Sequence, residues 1–242
     1  MNSAFAKASA DRPLEVRRLG TVSYAEALAM QRALVEERRA DRVPDLLILL
    51  QHPAVITLGV KGDGGRSNVV ATPDRLSELG IAVEETGRGG DVTYHGPGQI
   101  VGYPILDLRP DRQDVHRYVR DLEEVMIRAC ADYGLTAGRI PGLTGAWIGG
   151  EKTGAEKIGA IGVRISRWIT SHGFAFNVST RLDHFQLIVP CGIADRGVTS
   201  LEKATGRVIA VDEAEERIVH HFGEVFDREV RAVSRPPATS LP

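Results

Sequence analysis

The chain predicts an α+β fold: a mixed, mostly antiparallel sheet with flanking helices. Three observations carry this expectation. Amphipathic helical segments are few, clusters of short apolar strands separate them, and a hairpin signal sits at Ser166-Arg167. Regular βα alternation, the mark of a doubly wound parallel sheet, is missing. With 242 residues and 43% apolar content, the chain can bury one good core, which predicts one domain. Its core is expected over residues 14–228, with loose ends at 1–12 and 232–242, where the sequence is small and polar or proline-bearing without periodicity.

The elements follow in order. Ser23 to Arg39 reads as a helix: Ser23 can cap it, and Tyr24, Leu28, Gln31, Leu34 and Val35 share a face. Leu46 to Leu50, Val92 to Tyr94 and Ile100 to Leu108 read as strands. Asp114 to Tyr133 is the cleanest helix, with Tyr118, Leu122, Val125, Met126, Ala129 and Cys130 at helical spacing and Gly134 ending the run. Gly145 to Ile148, Ile158 to Ile165 and Trp168 to Val178 read as strands, the last two as a hairpin. Asp212 to Arg228 reads as a helix with Ile218, Val219, Phe222, Val225 and Phe226 facing inward.

Composition excludes several function classes. The formal net charge is −2, with both signs interspersed, which argues against a general nucleic-acid binder. Two cysteines allow at most one disulfide, too few for a stapled secreted domain. Met1 to Pro13 carries no apolar core of signal-peptide length, and no stretch approaches the roughly 20 apolar residues of a membrane span. A soluble, cytoplasmic protein with no membrane or nucleic-acid partner is expected. No metal site is expected: His220 and His221 are adjacent on a helix and point apart, and no Cys pair has zinc-ligand spacing. A Gly-x-Ser-x-Gly elbow is also missing.

Three segments carry candidate chemistry. Gly87 to Gln99 holds five glycines, which let backbone approach a ligand and expose amide donors. Within it Arg88 could hold an anion, and His95 and Gln99 add polar groups; two tight turns around a short strand is the competing reading. It is neither a P-loop nor a dinucleotide fingerprint. Lys157 opens Lys157-Ile158-Gly159-Ala160-Ile161-Gly162-Val163, in a chain with five lysines and twenty-five arginines. Alternation from Lys157 predicts one strand face almost bare of side chains, at Gly159 and beyond, able to take an apolar chain. An ordinary lysine at a hairpin base is the plain alternative; Lys152 reads as solvated. Cys191, between Pro190 and Gly192, lies in a turn, whereas Cys130 lies on an apolar stripe and reads as inert core. A cation near Cys191 would favour its thiolate, or a desolvated lysine could act as a neutral base; the sequence leaves both open. His172 reads equally well as a strand histidine or a catalytic group. Arg109, Arg112, Arg117 and Arg120 form a basic cluster that suits either solvent or acidic partners.

Together these segments resemble the lipoyl(octanoyl) transferases. The matching stretches are Arg88 to Gln99, Lys157 to Val163, Trp168 to Asn177 and Pro190 to Ile193 followed by Val198-Thr199-Ser200-Leu201, in family order over roughly Leu14 to Phe226. The resemblance implies a fold similar to the catalytic domain of biotin and lipoate protein ligases. It implies Cys191 as acyl-thioester nucleophile and Lys157 as the residue that tunes its ionisation. Arg88, Gly89, Gly90, Asp91, Val92, Thr93, Tyr94 and His95, with Ala160, Ile161, Gly162, Gly173, Phe174 and Ala175, resemble the segments lining the acyl-substrate site. Gly159 and Phe174 depart from the commoner family residues, Ala and Leu. The implied donor is octanoyl-acyl carrier protein. The implied acceptors are lipoyl domains of 2-oxoacid dehydrogenase complexes and the glycine cleavage H protein, with no cofactor. Competing readings are an ATP-dependent lipoate or biotin ligase, a non-catalytic module that binds carrier or lipoyl domains, and a transferase serving a different carrier.

Overall fold

A computed structural model of the chain describes residues 12–61, 63, 66–150, 154–189 and 196–232. In chain order the elements are β1 (Pro13–Thr21), α1 (Tyr24–Arg39), β2 (Asp45–Gln51), β3 (Val55–Leu58), α2 (Pro73–Glu78), β4 (Ala82–Glu85), β5 (Thr93–His95) and β6 (Gln99–Ile105). There follow α3 (Val115–Asp132), β7 (Ala137–Ile140), β8 (Leu143–Ile148), β9 (Glu156–Ser166), β10 (Ile169–Asn177), α4 (Leu201–Thr205), α5 (Val211–Phe226) and β11 (Glu229–Ala232). Eight strands make a large sheet in the order β11-β1-β2-β6-β10-β9-β8-β7, and β4-β3-β5 make a small one. β1 runs parallel to β2 and β11, and β3 to β4; the other paired strands are antiparallel. This is the mixed, mostly antiparallel α+β arrangement expected.

The central strands read as unbroken apolar runs because both faces of the large sheet are covered. Leu47 and Leu49 of β2, Ile100 of β6 and Phe174 and Phe176 of β10 pack against Leu122, Val125 and Met126 of α3 and Ile218 and Phe222 of α5. Leu46, Ile48 and Leu50 face the other way with Val101, Tyr103 and Ala175, beneath Ala27 of α1. The helix starts follow the local sequence: Ser23 closes a capping box with Glu26, and Asp114 accepts the backbone N–H of Arg117. The hairpin turns through Arg167 and Trp168, both with positive φ (51° and 67°), as a two-residue turn between twisted strands requires.

The sequence pattern under-called β1, β3, β4, β7 and β11. In β1 the buried Leu14 and Val16 alternate with Glu15 and Arg17, while β4 is an edge strand with little burial; neither makes an apolar run. The strand expected over Ile100 to Leu108 ends at Ile105, and Asp107 makes a single bridge to Ile169. No helix among the described residues is long and apolar enough to cross a membrane.

Candidate active site

Lys157 owes its position to a break in strand register. Ala146 pairs with Gly159 but Trp147 pairs with Lys157, so Ile158 is an extra residue on β9. A bulge of this kind re-aims the side chains beyond it. Strict alternation puts Lys157 in phase with Gly159; the bulge puts it in phase with Ala160 and Gly162 instead. This corrects the expected bare face. Gly159 looks toward the helices, where a Cβ would stand 2.4 Å from Met126 Sδ, so that space is filled. The open face belongs to Ala160 and Gly162, opposite Ala175 and Gly173.

Over that face lies a cavity of about 480 Å³, bordered by both Lys157 and His172. The glycine-rich segment forms its roof, sewn between β3 and β9: Val60 N–H donates to Arg88 O, Lys61 N–H to Gly90 O and Gly89 N–H to Val163 O. A side chain at Gly162 would stand 2.9 Å from Gly89 O, so glycine lets roof and floor approach. Residues 88–93, His95, 160–162 and 173–175 all border the cavity with Lys157. Ile161 and Phe174 border it although their side chains pack in the helix-side core. Tyr94 does not border it: its hydroxyl meets His184 Nδ1 at 2.9 Å and its ring packs on Phe185, beneath the small sheet. Strand alternation separates it from His95.

A buried polar chain ties the roof to the Lys157 end. Arg88 donates to Thr57 O at 2.7 Å and to Thr57 Oγ1 at 2.9 Å, so these guanidinium contacts brace the roof. Gln99 Nε2 donates to Asn177 Oδ1 at 2.9 Å and to Tyr94 O, leaving Gln99 Oε1 to accept from His95 Nδ1 at 2.7 Å. His95 Nε2 then faces Thr57 Oγ1 at 3.3 Å as acceptor. Asn177 Nδ2 donates to Thr199 O at 2.9 Å, and Thr199 N–H donates to Lys157 O at 3.0 Å. Burial, reinforced by His52 and Arg88, pushes the His95 imidazole down to about 3, so His95 is neutral.

Cys191 lies outside the described residues, as does Lys152. The residues on either side of Cys191 are anchored at the cavity rim. Val189 N–H donates to Asn68 O at 2.7 Å, and Asn68 Nδ2 donates to Asp91 Oδ2 at 2.8 Å. Beyond it, Lys157 N–H donates to Gly197 O at 2.9 Å, and Arg196, Gly197 and Val198 border the cavity. The Lys157 ammonium stands 4.7 Å from the Trp147 ring centroid, a cation–π distance.

Cys130 is fully buried, and burial pushes its thiol up to about 12, which suits an inert core residue. The arginine cluster is mostly paired: Arg109 with Asp107 at 2.7 Å, Arg112 with Asp121, and Arg120 with Glu123 at 2.6 Å. His220 and His221 do not point apart; their ring centroids are 5.0 Å apart, and with Glu224 their donor atoms fall within 4.8 Å of one another. The next helical turn brings Glu224 under both rings, but Asp132 already holds His221 Nε2 at 2.9 Å and none of these residues borders the cavity. Tyr24, Tyr103, Trp147 and Asn177 also border it, although the sequence assigns none of them to the substrate site. Nothing in their local pattern separates them from core.

Residues 23–223 match the lipoyl protein ligase A/B catalytic domain. The chain is 52% identical over 229 residues to an octanoyltransferase of Myxococcus xanthus, covering 94% of this chain and 63% of that protein. It is 53% identical over 215 residues to an octanoyltransferase of Solibacter usitatus, covering 89% and 94%. The fold is shared with lipoate-protein ligase A bound with ATP, at TM-score 0.69 and 17% identity over 91% of this chain and 90% of that one. The chain belongs to the lipoyl protein ligase A/B catalytic-domain family, and within it to the octanoyltransferases.

Proposed function

We propose that this acyltransferase moves octanoyl from octanoyl-acyl carrier protein to a lysine of lipoyl domains through a thioester on Cys191. The Cys191 thiolate attacks the carrier-bound thioester carbon; the new C–S bond forms as the carrier's C–S bond breaks, and the carrier leaves as a thiol. The target lysine amine then attacks the acyl-enzyme, the C–S bond to Cys191 breaks, and the amine's proton returns to the sulfur. Lys157 manages these protons. The first exchange is near balance and the second, thioester to amide, runs downhill, so no ATP is required.

The observation that carries this reading is the small-residue channel floored by Ala160, Gly162 and Ala175 with Lys157 at its end. The anchoring of Val189 and Gly197 at the same rim supports delivery of Cys191 to that end. Burying the acyl tail at ~0.8 kcal/mol per methylene contributes on the order of 5 kcal/mol before other costs. Backbone amides of the glycine-rich roof are suited to stabilising the oxyanion. The acceptors are lipoyl domains of 2-oxoacid dehydrogenase complexes and the glycine cleavage H protein, the compartment is the cytoplasm, and one catalytic domain spans about residues 14–228.

The test is transfer to a purified lipoyl domain. With octanoyl-acyl carrier protein and no ATP, the lipoyl domain should gain one octanoyl amide. Modification appearing only with free octanoate and ATP would move the chain to the ligase reaction.

A further inference from the structure

Two imidazoles and a carboxylate meet where α3 and α5 end. His220, His221 and Glu224 lie in the closing turns of α5, and their donor atoms all fall within 4.8 Å of one another. His220 Nε2 stands 3.4 Å from Glu224 Oε1, and His221 Nδ1 stands 3.3 Å from Glu224 Oε2. The i,i+4 and i,i+3 spacings put Glu224 on the helix face between the two rings. On the far side of the His221 ring, Asp132, the last residue of α3, meets Nε2 at 2.9 Å. That contact leaves the other nitrogen available. A neutral imidazole carries one N–H, and with that proton on Nε2 toward Asp132 the Nδ1 lone pair faces the Glu224 carboxylate. Two acceptors so placed need a proton or a cation between them.

We propose that His220, His221 and Glu224 bind one divalent transition-metal ion of the zinc class, with Asp132 orienting His221 from behind. Zinc holds imidazole nitrogen and carboxylate oxygen at about 2.0–2.2 Å, which sets neighbouring ligands of a tetrahedron about 3.4 Å apart. Both Glu224 distances are close to that edge, each from a different carboxylate oxygen. Glu224 and His220 are exposed, so rotation of these two side chains completes the set and water takes the fourth position. A carboxylate behind a ligating imidazole is the usual outer partner at a metal site and fixes which nitrogen binds. The carbonyl ends of α3 and α5 both lie here, and helix C-termini favour a cation. Two arginines compete weakly. Arg128 Nη1 is 3.6 Å from Glu224 Oε2 while its Nε pairs with Glu124 at 3.0 Å, and Arg217 Nε is 4.0 Å from Asp132. Imidazole ligands select zinc, nickel or copper over magnesium and calcium. The site lies away from the cavity, so the ion clamps α5 to α3 and takes no part in acyl transfer.

The experiment titrates the untagged, chelator-stripped full chain with zinc sulfate by calorimetry and follows thermal unfolding with and without zinc. The proteins are the wild type, His220→Gln, Glu224→Gln, Asp132→Asn and, as control, His116→Gln, which is exposed on α3 outside the cluster. Wild type and His116→Gln should take up one ion. Zinc at about 100 times its Kd should raise their Tm by about 5–10 °C, and magnesium should do neither. His220→Gln and Glu224→Gln change exposed side chains, so they should fold as the wild type does and lose at least ten-fold in zinc affinity. Asp132→Asn should lose about 10- to 100-fold. No uptake by the wild type means that a proton bridges His221 and Glu224, and overturns the site. Uptake at wild-type affinity in both His220→Gln and Glu224→Gln places the ion elsewhere on the chain and overturns it equally.

Discussion

The two faces of the β9–β10 hairpin carry the same backbone to opposite ends. On the helix side, Phe174 and Phe176 are buried under α3 and α5, and even the gap at Gly159 is occupied by Met126. On the other side Ala160 and Ala175 border a channel under the glycine-rich segment, while the space beside Gly162 and Gly173 is taken by Gly89 O and Gly102 O. A small residue thus makes a cavity only where no neighbour supplies the missing volume. One extra residue, Ile158, decides which face receives the amine of Lys157.

The comparison breaks if the two faces fail to separate activity from stability. The largest effect belongs to Lys157→Ala, which should cut acyl transfer about 10²- to 10⁴-fold, the usual worth of a proton-managing group, while thermal unfolding by calorimetry stays near wild type. Met126→Ala on the helix side should do the reverse, costing about 2–5 kcal/mol in urea unfolding. Its kcat in the folded range should remain within a few-fold. Ala160→Leu fills the channel from the open face. It should raise the KM for octanoyl-carrier about 10- to 100-fold, in line with the ~1–3 kcal/mol that shape mismatch costs in an apolar pocket. Little change in urea midpoint is expected.

The smallest effect concerns pH. Burial holds His95 at about 3 and His172 at about 4, both below the ordinary histidine value near 6.5. A depressed histidine leaves stability intact above the unfolded value and costs stability as pH falls, because the unfolded chain takes up protons that the native state refuses. Between pH 6 and 4.5 each group should remove about 1.4 kcal/mol per pH unit at most. His95→Gln should make that slope shallower in urea titrations at fixed ionic strength.

The three long helices were the most legible part of the fold because their apolar spacing is backed by caps at Ser23 and Asp114 and by Gly134; the short α2 and α4 were not read. The buried central strands were legible as apolar runs. Edge strands were not: β4 and β11 are short and charged, and their pairing is decided by tertiary contacts. Within the site, the glycine-rich segment and Lys157 stand out by composition. The bulge at Ile158 carries no sequence signal, so alternation pointed to the wrong face. Tyr94 entered the site as part of the Arg88–His95 stretch that the resemblance carries, and alternation along β5 turns it under the small sheet. His172 was ambiguous as a letter; its positive φ, which marks it out, exists only in three dimensions.

The central claim is that the amine-bearing face of this hairpin serves a thioester on Cys191. The most direct measurement is intact-protein mass after mixing with octanoyl-acyl carrier protein without ATP, for wild type and Cys191→Ser. One octanoyl adduct on the wild type, removed by hydroxylamine and missing from Cys191→Ser, is the predicted result. An unmodified wild type under turnover conditions, or an equal adduct on Cys191→Ser, would contradict it.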